Sequence, residues 1–215
     1  MSRVTVSGYI VGSYQTNVYI LHREDSTDAV ITDPGFCGNE LADAVEQQGL
    51  TIRAILLTHG HFDHIGAVHE VVSRTGAPVY LCENERFLAS DPDANLSAMH
   101  GQPTTVEPDV WLSDGERFTL CGITFRCIAT PGHTEGSCCY YIEETGGGSP
   151  VLIAGDTLFL ESAGRTDFAT GDEEALIRSI RRRLYVLPDD TLVYPGHGGA
   201  TTIGYEKKHN WMVRF

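Results

Sequence analysis

A short, mainly apolar run, Ile52–Leu57, ends on Thr58-His59-Gly60-His61-Phe62-Asp63-His64-Ile65-Gly66, and this junction constrains the chain more than any other segment. The run reads as a buried strand. A helix follows from about Asp63 to Arg74, with Ile65, Val68 and Val72 on one side. Residues two apart in an extended chain point the same way, so His59 and His61 can reach one metal ion together. Where the chain turns into the helix, Asp63 and His64 emerge in a different direction, toward a second ion. Gly60 leaves room for the close approach. Four ligand-type residues between positions 59 and 64 are poorly explained as core histidines with ordinary partners.

Three later segments repeat the device. Pro131-Gly132-His133-Thr134, Ala154-Gly155-Asp156-Thr157 and Pro195-Gly196-His197-Gly198 each follow a strand signal and offer one further ligand: His133, Asp156 and His197. Strand ends converging on one sheet edge form a rigid scaffold for a site. His22, His69, His100 and His209 lack such surroundings and read as surface or structural residues.

Around these motifs the chain alternates strand and helix signals. Asn17–Leu21 and Asp28–Thr32 form a hairpin pair across the charged turn at 22–27, and Asn39 caps a helix with Leu41, Ala44 and Val45 on one face. Val79–Leu81 is a further strand, and 84–109 holds a short helix and then a loop. In the second half Arg117–Leu120 and Ile123–Ile128 flank Cys121-Gly122, and Cys139–Ile142 pairs with Val151–Ala154 across a glycine loop. Asp172 caps a helix whose last turn, Arg181–Arg183, reads as a solvated end suited to the helix dipole. Leu192–Tyr194 is the last strand, and a helix at Tyr205–Asn210 closes the chain. Each half runs strands, a histidine-bearing turn and a helix. Two packed sheets with helices outside would produce this pattern, as would a Rossmann-like sheet.

Length and composition bound the rest. The 215 residues carry 15 Lys+Arg and 29 Asp+Glu, a net charge of −14, with 41% hydrophobic residues. One domain over 1–215 is expected, with enough apolar content for a core. An acidic chain argues against nucleic acid as partner, because phosphate binding relies on Lys/Arg clusters and the arginines at 181–183 read as a helix end. No stretch approaches the ~18 consecutive apolar residues of a membrane span, and no secretory h-region opens the chain, so a cytoplasmic, membrane-free protein is expected. The six cysteines, Cys37, Cys82, Cys121, Cys127, Cys138 and Cys139, then read as small buried hydrophobes, not as disulfides.

The His59-x-His61-x-Asp63-His64 signature, followed in order by His133, Asp156 and His197, resembles the metallo-β-lactamase superfamily. That resemblance implies an α/β, four-layer αβ/βα sandwich with two divalent ions at one edge. His59, His61 and His133 would hold one ion, Asp63, His64 and His197 the other, and Asp156 would bridge them. Zinc suits these ligands, as do iron and manganese. Gly155–Phe159, Gly164–Phe168 and Thr201–Lys207 are most similar to short bacterial glyoxalase II-like thioesterases. This implies hydrolysis of a thioester such as S-lactoylglutathione by a hydroxide shared between the ions. Asp63, besides being a ligand, would orient the nucleophile or shuttle a proton. Arg165 is a candidate carboxylate clamp, or else a partner of Asp167, and Phe168 a candidate pocket wall. Phe62 faces either the pocket mouth or the core. The chain ends 18 residues after His197 (215 − 197), so the C-terminal helical domain of the long glyoxalase II enzymes, with its glutathione contacts, is expected to be absent. Two alternatives remain open: a mononuclear iron persulfide dioxygenase using His59, His133 and Asp156, and a lactone or ester hydrolase of the same superfamily.

Overall fold

A computed structural model describes residues 2–213. The first sheet contains β1 (Val4–Val11), β2 (Thr16–Arg23), β3 (Asp28–Thr32), β4 (Thr51–Leu56), β5 (Val79–Cys82) and β6 (Val110–Leu112), in that spatial order. Its first three strands are antiparallel and the remaining pairings parallel. Between these strands lie α1 (Gly38–Gln47), α2 (Phe62–Ile65), α3 (Val68–Thr75) and α4 (Arg86–Ser90). The second sheet is built from β7 (Arg117–Leu120), β8 (Ile123–Ala129), β9 (Cys138–Ile142), β10 (Val151–Gly155), β13 (Leu192–Pro195) and β14 (Thr201–Thr202), ordered β14-β13-β10-β9-β8-β7. A short hairpin, β11 (Leu158–Phe159) with β12 (Ser162–Ala163), stands apart, and α5 (Glu173–Ser179) and α6 (Ile203–His209) complete the chain.

Strand alternation sorts side chains into separate interiors, and on β4 a bulge between Ile52 and Ala54 shifts that alternation by one residue. On β4, Ile52 and Ile55 face the helix layer with Leu41, Val45, Val68 and Val71. Ala54 and Leu56 face the other way and meet Phe125, Tyr140 and Ile153 of the second sheet. On the far side of that sheet Cys139, Tyr141 and Leu152 pack under Leu176, Ile180 and Leu184. The layers therefore run helix, sheet, sheet, helix, which is the αβ/βα sandwich and not a Rossmann-like arrangement.

Several boundaries differ from the sequence reading for local reasons. The helix expected over Asp63–Arg74 is split into α2 and α3. The Pro34-Gly35 turn intrudes at the break: Ala67 donates its amide to Pro34 O (3.0 Å). A Cβ on Gly66 would lie 2.5 Å from Gly35 O, and one on Gly35 would lie 1.5 Å from Asp63 O. Asn39 does not cap α1. Cys37 occupies the cap with φ 58°, and Glu70 Oε2, from α3, accepts the Asn39 amide at 3.3 Å. The buried face of that helix is Leu41, Ala42 and Val45, with Ala44 only half-buried. Asp172 does cap α5, accepting the Ala175 amide at 2.9 Å. The arginines beyond α5 lie in a π-helical turn, Ile180–Leu184, and are not simply solvated. Arg183 pairs with Asp114 at 2.6 Å, and Arg181 reaches Val213 O at 3.3 Å. The sequence reading lacked β1, whose half-buried edge gives a weak alternation, the three-residue β6, and the two-residue strands β11, β12 and β14. Four cysteines are buried, but Cys37 is exposed and Cys121 half-buried, and all six are free thiols.

Because the inter-sheet layer is common to both halves, its large side chains should dominate stability. Phe125 is fully buried there, and Phe125→Ala should cost about 3–5 kcal/mol in urea unfolding. Val186, 71% exposed, should tolerate alanine within about 0.5 kcal/mol. A loss below about 1 kcal/mol at Phe125 would contradict this assignment of the core.

Candidate metal centre

The ligand-type residues gather because strand direction brings them to one edge. In the second sheet β8 and β10 are each antiparallel to β9, and β13 is parallel to β10. The C-terminal ends of β8, β10 and β13 thus share an edge, and they carry His133, Asp156 and His197. The turn after β4 brings His59 and His61, and the short α2 brings Asp63 and His64. Hydrogen bonds lock the two sheets together here: Cys138 donates its amide to Thr58 O (2.9 Å) and Tyr140 its hydroxyl to Leu57 O (2.7 Å). Across the opening, Asn17 donates its amide to Gly196 O (2.7 Å) and its side chain to Pro195 O (2.9 Å), which fixes the His197 turn against β2.

All seven side chains meet in one cluster. Ligand atoms of His59, His61 and His133 lie within 4.8 Å of one another, and so do those of Asp63, His64 and His197. A third group, His59, His64 and Asp156, overlaps both. His61 Nδ1 faces His133 Nε2 at 2.9 Å, and Asp63 Oδ2 faces His197 Nε2 at 3.3 Å. Asp156 lies between the groups: Oδ2 is 3.5 Å from His133 Nε2 and 3.4 Å from His197 Nε2, and Oδ1 is 3.4 Å from His64 Nε2. His59, His61, His64 and His133 are buried, while the His197 side chain is 27% exposed and marks the open side.

The donor set fits metal ions. His59 Nε2, His64 Nε2 and Asp156 Oδ1 are buried without a hydrogen-bond partner. Native proteins rarely leave such atoms unpaired unless an ion or water completes them. Burial, reinforced by the neighbouring imidazoles, holds His59 well below the usual histidine range. Burial and then His133 bring His61 down to about 3, and burial also lowers His133. Unprotonated imidazole is the ligating form. On His64 and His197 burial works downward too, but Asp63 and Asp156 outweigh it and raise the rings to about 9 and about 10. Burial opposes ionisation of Asp63 and Asp156, yet His64 and His197 hold both carboxyls below the ordinary range.

Outer partners orient the rings, and sequence reasoning missed most of them. His64 Nδ1 lies 3.3 Å from Asp33 Oδ2, and Asp33 also accepts the Thr58 amide and hydroxyl, both at 2.8 Å. His133 Nδ1 pairs with Arg165 O (2.7 Å), His197 Nδ1 with Tyr14 O (3.1 Å), and Thr16 donates its hydroxyl to Asp63 Oδ2 (3.1 Å). Asp33 had the one visible signal, an acidic residue directly after a strand, but Asp33-Pro34-Gly35 reads equally as a plain turn. The backbone carbonyls carry no sequence signal.

Phe168 lies beside the cluster, its ring centroid 4.9 Å from that of His61 and 5.9 Å from that of His133. Arg165 stacks over Phe168 at 4.4 Å, and its guanidinium is held bidentately by Asp167, both contacts 2.6 Å. Of the two roles open to it, the geometry is that of the Asp167 partner. Phe62 turns away from the cluster, stacking on His100 and meeting Tyr14 edge-on, and lines a cavity of about 290 Å³ with Phe36 and Glu70. His22 and His69 stay outside the site, bonding Arg23 O and Thr105 O. His209 stacks on Tyr205. Among the described residues no helix is long and apolar enough to cross a membrane.

Comparison with known proteins agrees with this architecture. Residues 11–197 match the family model described as the metallo-β-lactamase superfamily. The hydroxyacylglutathione hydrolase GloC of Haemophilus influenzae is 37% identical, with 93% of this chain and 93% of that protein covered. The B3 metallo-β-lactamase BLEG-1 superposes with a TM-score of 0.90 at 42% identity, covering 97% of this chain and 99% of that one. TTHA1623, crystallised in a di-iron-bound form, gives a TM-score of 0.83 at 35% identity over 96% and 99% of the two chains. On sequence, layer order and the placement of its histidine-bearing turns, the chain belongs to the metallo-β-lactamase superfamily.

Proposed function

We propose that the chain is a dinuclear metal-dependent hydrolase acting on a small-molecule thioester, of the kind that S-lactoylglutathione represents. The observation that carries this reading is the position of Asp156, whose two oxygens face both histidine groups at 3.4–3.5 Å. His59, His61 and His133 would hold one ion, and Asp63, His64 and His197 the other. Two divalent ions supply Lewis acidity toward a carbonyl oxygen and a hydroxide at neutral pH. The chain's own residues do the rest. Arg165 O, Tyr14 O and Asp33 aim the rings of His133, His197 and His64. Asp63, held by the Thr16 hydroxyl at the open side, is placed to orient the attacking group or carry its proton. Phe168 walls one side against water. A thiolate leaves without a strong general acid, and none beyond Asp63 is needed.

Likeness to GloC supports a glutathione thioester as substrate, and likeness to BLEG-1 supports a β-lactam, a cyclic amide, instead. A carboxylate-rich thiol needs a cation, and Arg165 answers that need only if it leaves Asp167. Similarity to a di-iron protein supports iron as an alternative to zinc. A mononuclear iron oxidoreductase would use His59, His133 and Asp156. The complete second group, Asp63, His64 and His197, favours two ions.

Purified protein should therefore carry two equivalents of zinc, iron or manganese by elemental analysis and release free thiol from thioesters. Asp156→Ala should lower both metal content and kcat/KM, the latter a hundredfold or more, about the upper limit for loss of a mere orienting partner. Oxygen uptake with a persulfide, together with one iron per chain, would overturn the hydrolase reading. Arg165→Ala tests the clamp: losses confined to carboxylate-bearing substrates would establish it, whereas equal losses on neutral ones would assign the residue to the loop.

The chelator-stripped protein should show a distinct pH profile. His64 and His197 are raised to about 9 and 10, so their stabilising contribution is full below about 6.5 and fades as pH rises through 9–10. His61, lowered to about 3, contributes stability above about 6.5 that is lost as pH falls toward 3. Thermal melts without metal should peak near neutrality, and added zinc should raise Tm more at pH 9 than at pH 6.5. An equal shift at both values would contradict the assignment.

A further inference from the structure

Glu85 lies at the end of a 3₁₀ turn, Glu83–Glu85, leading into α4, and is fully buried although it touches no ligand of the candidate centre. Its carboxylate joins two turns from different sheets. Oε1 accepts the Gly60 amide at 2.9 Å, midway between His59 and His61. Oε2 accepts the Thr134 hydroxyl at 3.0 Å, next to His133. The backbone around it is wedged just as closely. A Cβ on Gly60 would lie 3.1 Å from Ala89 N, and one on Gly136 would lie 2.3 Å from Glu85 N. The segment 84–89 is thus clamped between the turn bearing His59 and His61 and the turn bearing His133.

Burying a carboxylate is costly, and burial pushes Glu85 up to about 7 even though both oxygens are paired. A hydrophobic residue would fill the same space without that cost, so packing alone does not account for an acid here. What the acid adds is a fixed distance between two donors on opposite turns. Those turns supply the three imidazoles of one ligand group, with His61 Nδ1 and His133 Nε2 2.9 Å apart. The other group, Asp63, His64 and His197, has no contact with Glu85 and is held instead by Thr16, Asp33 and Tyr14 O.

We infer that Glu85 is a positioning residue for one ion only, setting the separation of the His59–His61 turn from the His133 turn. This rests on the two-ion reading above. Glutamine has the same size but one acceptor oxygen, so Glu85→Gln breaks the double acceptance without opening a cavity.

The test is a stepwise zinc titration of the full chain against a chromophoric chelator. His133→Ala identifies which step belongs to the His59, His61 and His133 group. Glu85→Gln should weaken that step about tenfold or more, as loss of an outer partner does. The other step should stay within about threefold, and the metal-free melting temperature within a few degrees. Glu85→Ala should show the same asymmetry more strongly. Thr134→Val, which removes one donor and leaves the acid, should weaken the same step by a smaller factor and keeps the test open if the Glu85 variants do not fold. Equal weakening of both steps, or no change in either, overturns the inference. A wild-type chain that binds fewer than two zinc ions overturns the two-ion reading and this one together; two wild-type sites with an unaltered Glu85→Gln titration overturn this one alone.

Discussion

Seven polar side chains, five imidazoles and two carboxylates, are brought together at the edge of two sheets, most of them out of contact with water. Such a cluster is unfavourable in isolation, because desolvation opposes charge on each group and several acceptor atoms face one another. The fold holds it by over-determination. The strand ends that deliver the residues are rooted in a fully packed inter-sheet layer. The turns beyond them are tied to neighbouring elements through Asn17, Asp33, Tyr140 and Glu85. On the proposed reading, divalent cations turn this liability into binding energy. The rigidity of the scaffold then becomes the preorganisation that metal-assisted hydrolysis requires.

The candidate site was largely legible in the sequence and its supports were not. Residues two apart before a helix, and Pro-Gly-His turns after apolar runs, are local patterns, so His59, His61, His64, His133 and His197 could be singled out without coordinates. The layer order was legible only as one of two arrangements, because alternation of strands and helices does not say which faces meet. The partners that aim the rings come from 31 residues before His64, in Asp33, or 183 before His197, in Tyr14. Half of them act through backbone carbonyls, which any residue supplies. Glu85 is a comparable case. In sequence it is one of two glutamates in an exposed-looking polar run, and only the approach of two distant turns buries it.

The helix expected over Asp63–Arg74 teaches the same lesson from the other side. Its apolar spacing is continuous, and nothing local demands a break. The break comes from the Pro34-Gly35 turn, which takes the Ala67 amide and packs against Asp63 O. This intrusion frees α2 to carry Asp63 and His64 at its own angle to α3. Substrate recognition is less determined than the centre itself. Beside the cluster, Arg165 is already paired with Asp167, and the Phe168 ring meets that of His61.

Anomalous diffraction from a crystal of the metal-loaded protein, collected at the absorption edge of the bound element, tests the central claim most directly. The account predicts two peaks about 3.5–4 Å apart, one among His59, His61 and His133 and the other among Asp63, His64 and His197, with Asp156 touching both. A single peak, or two peaks away from Asp156, would contradict it.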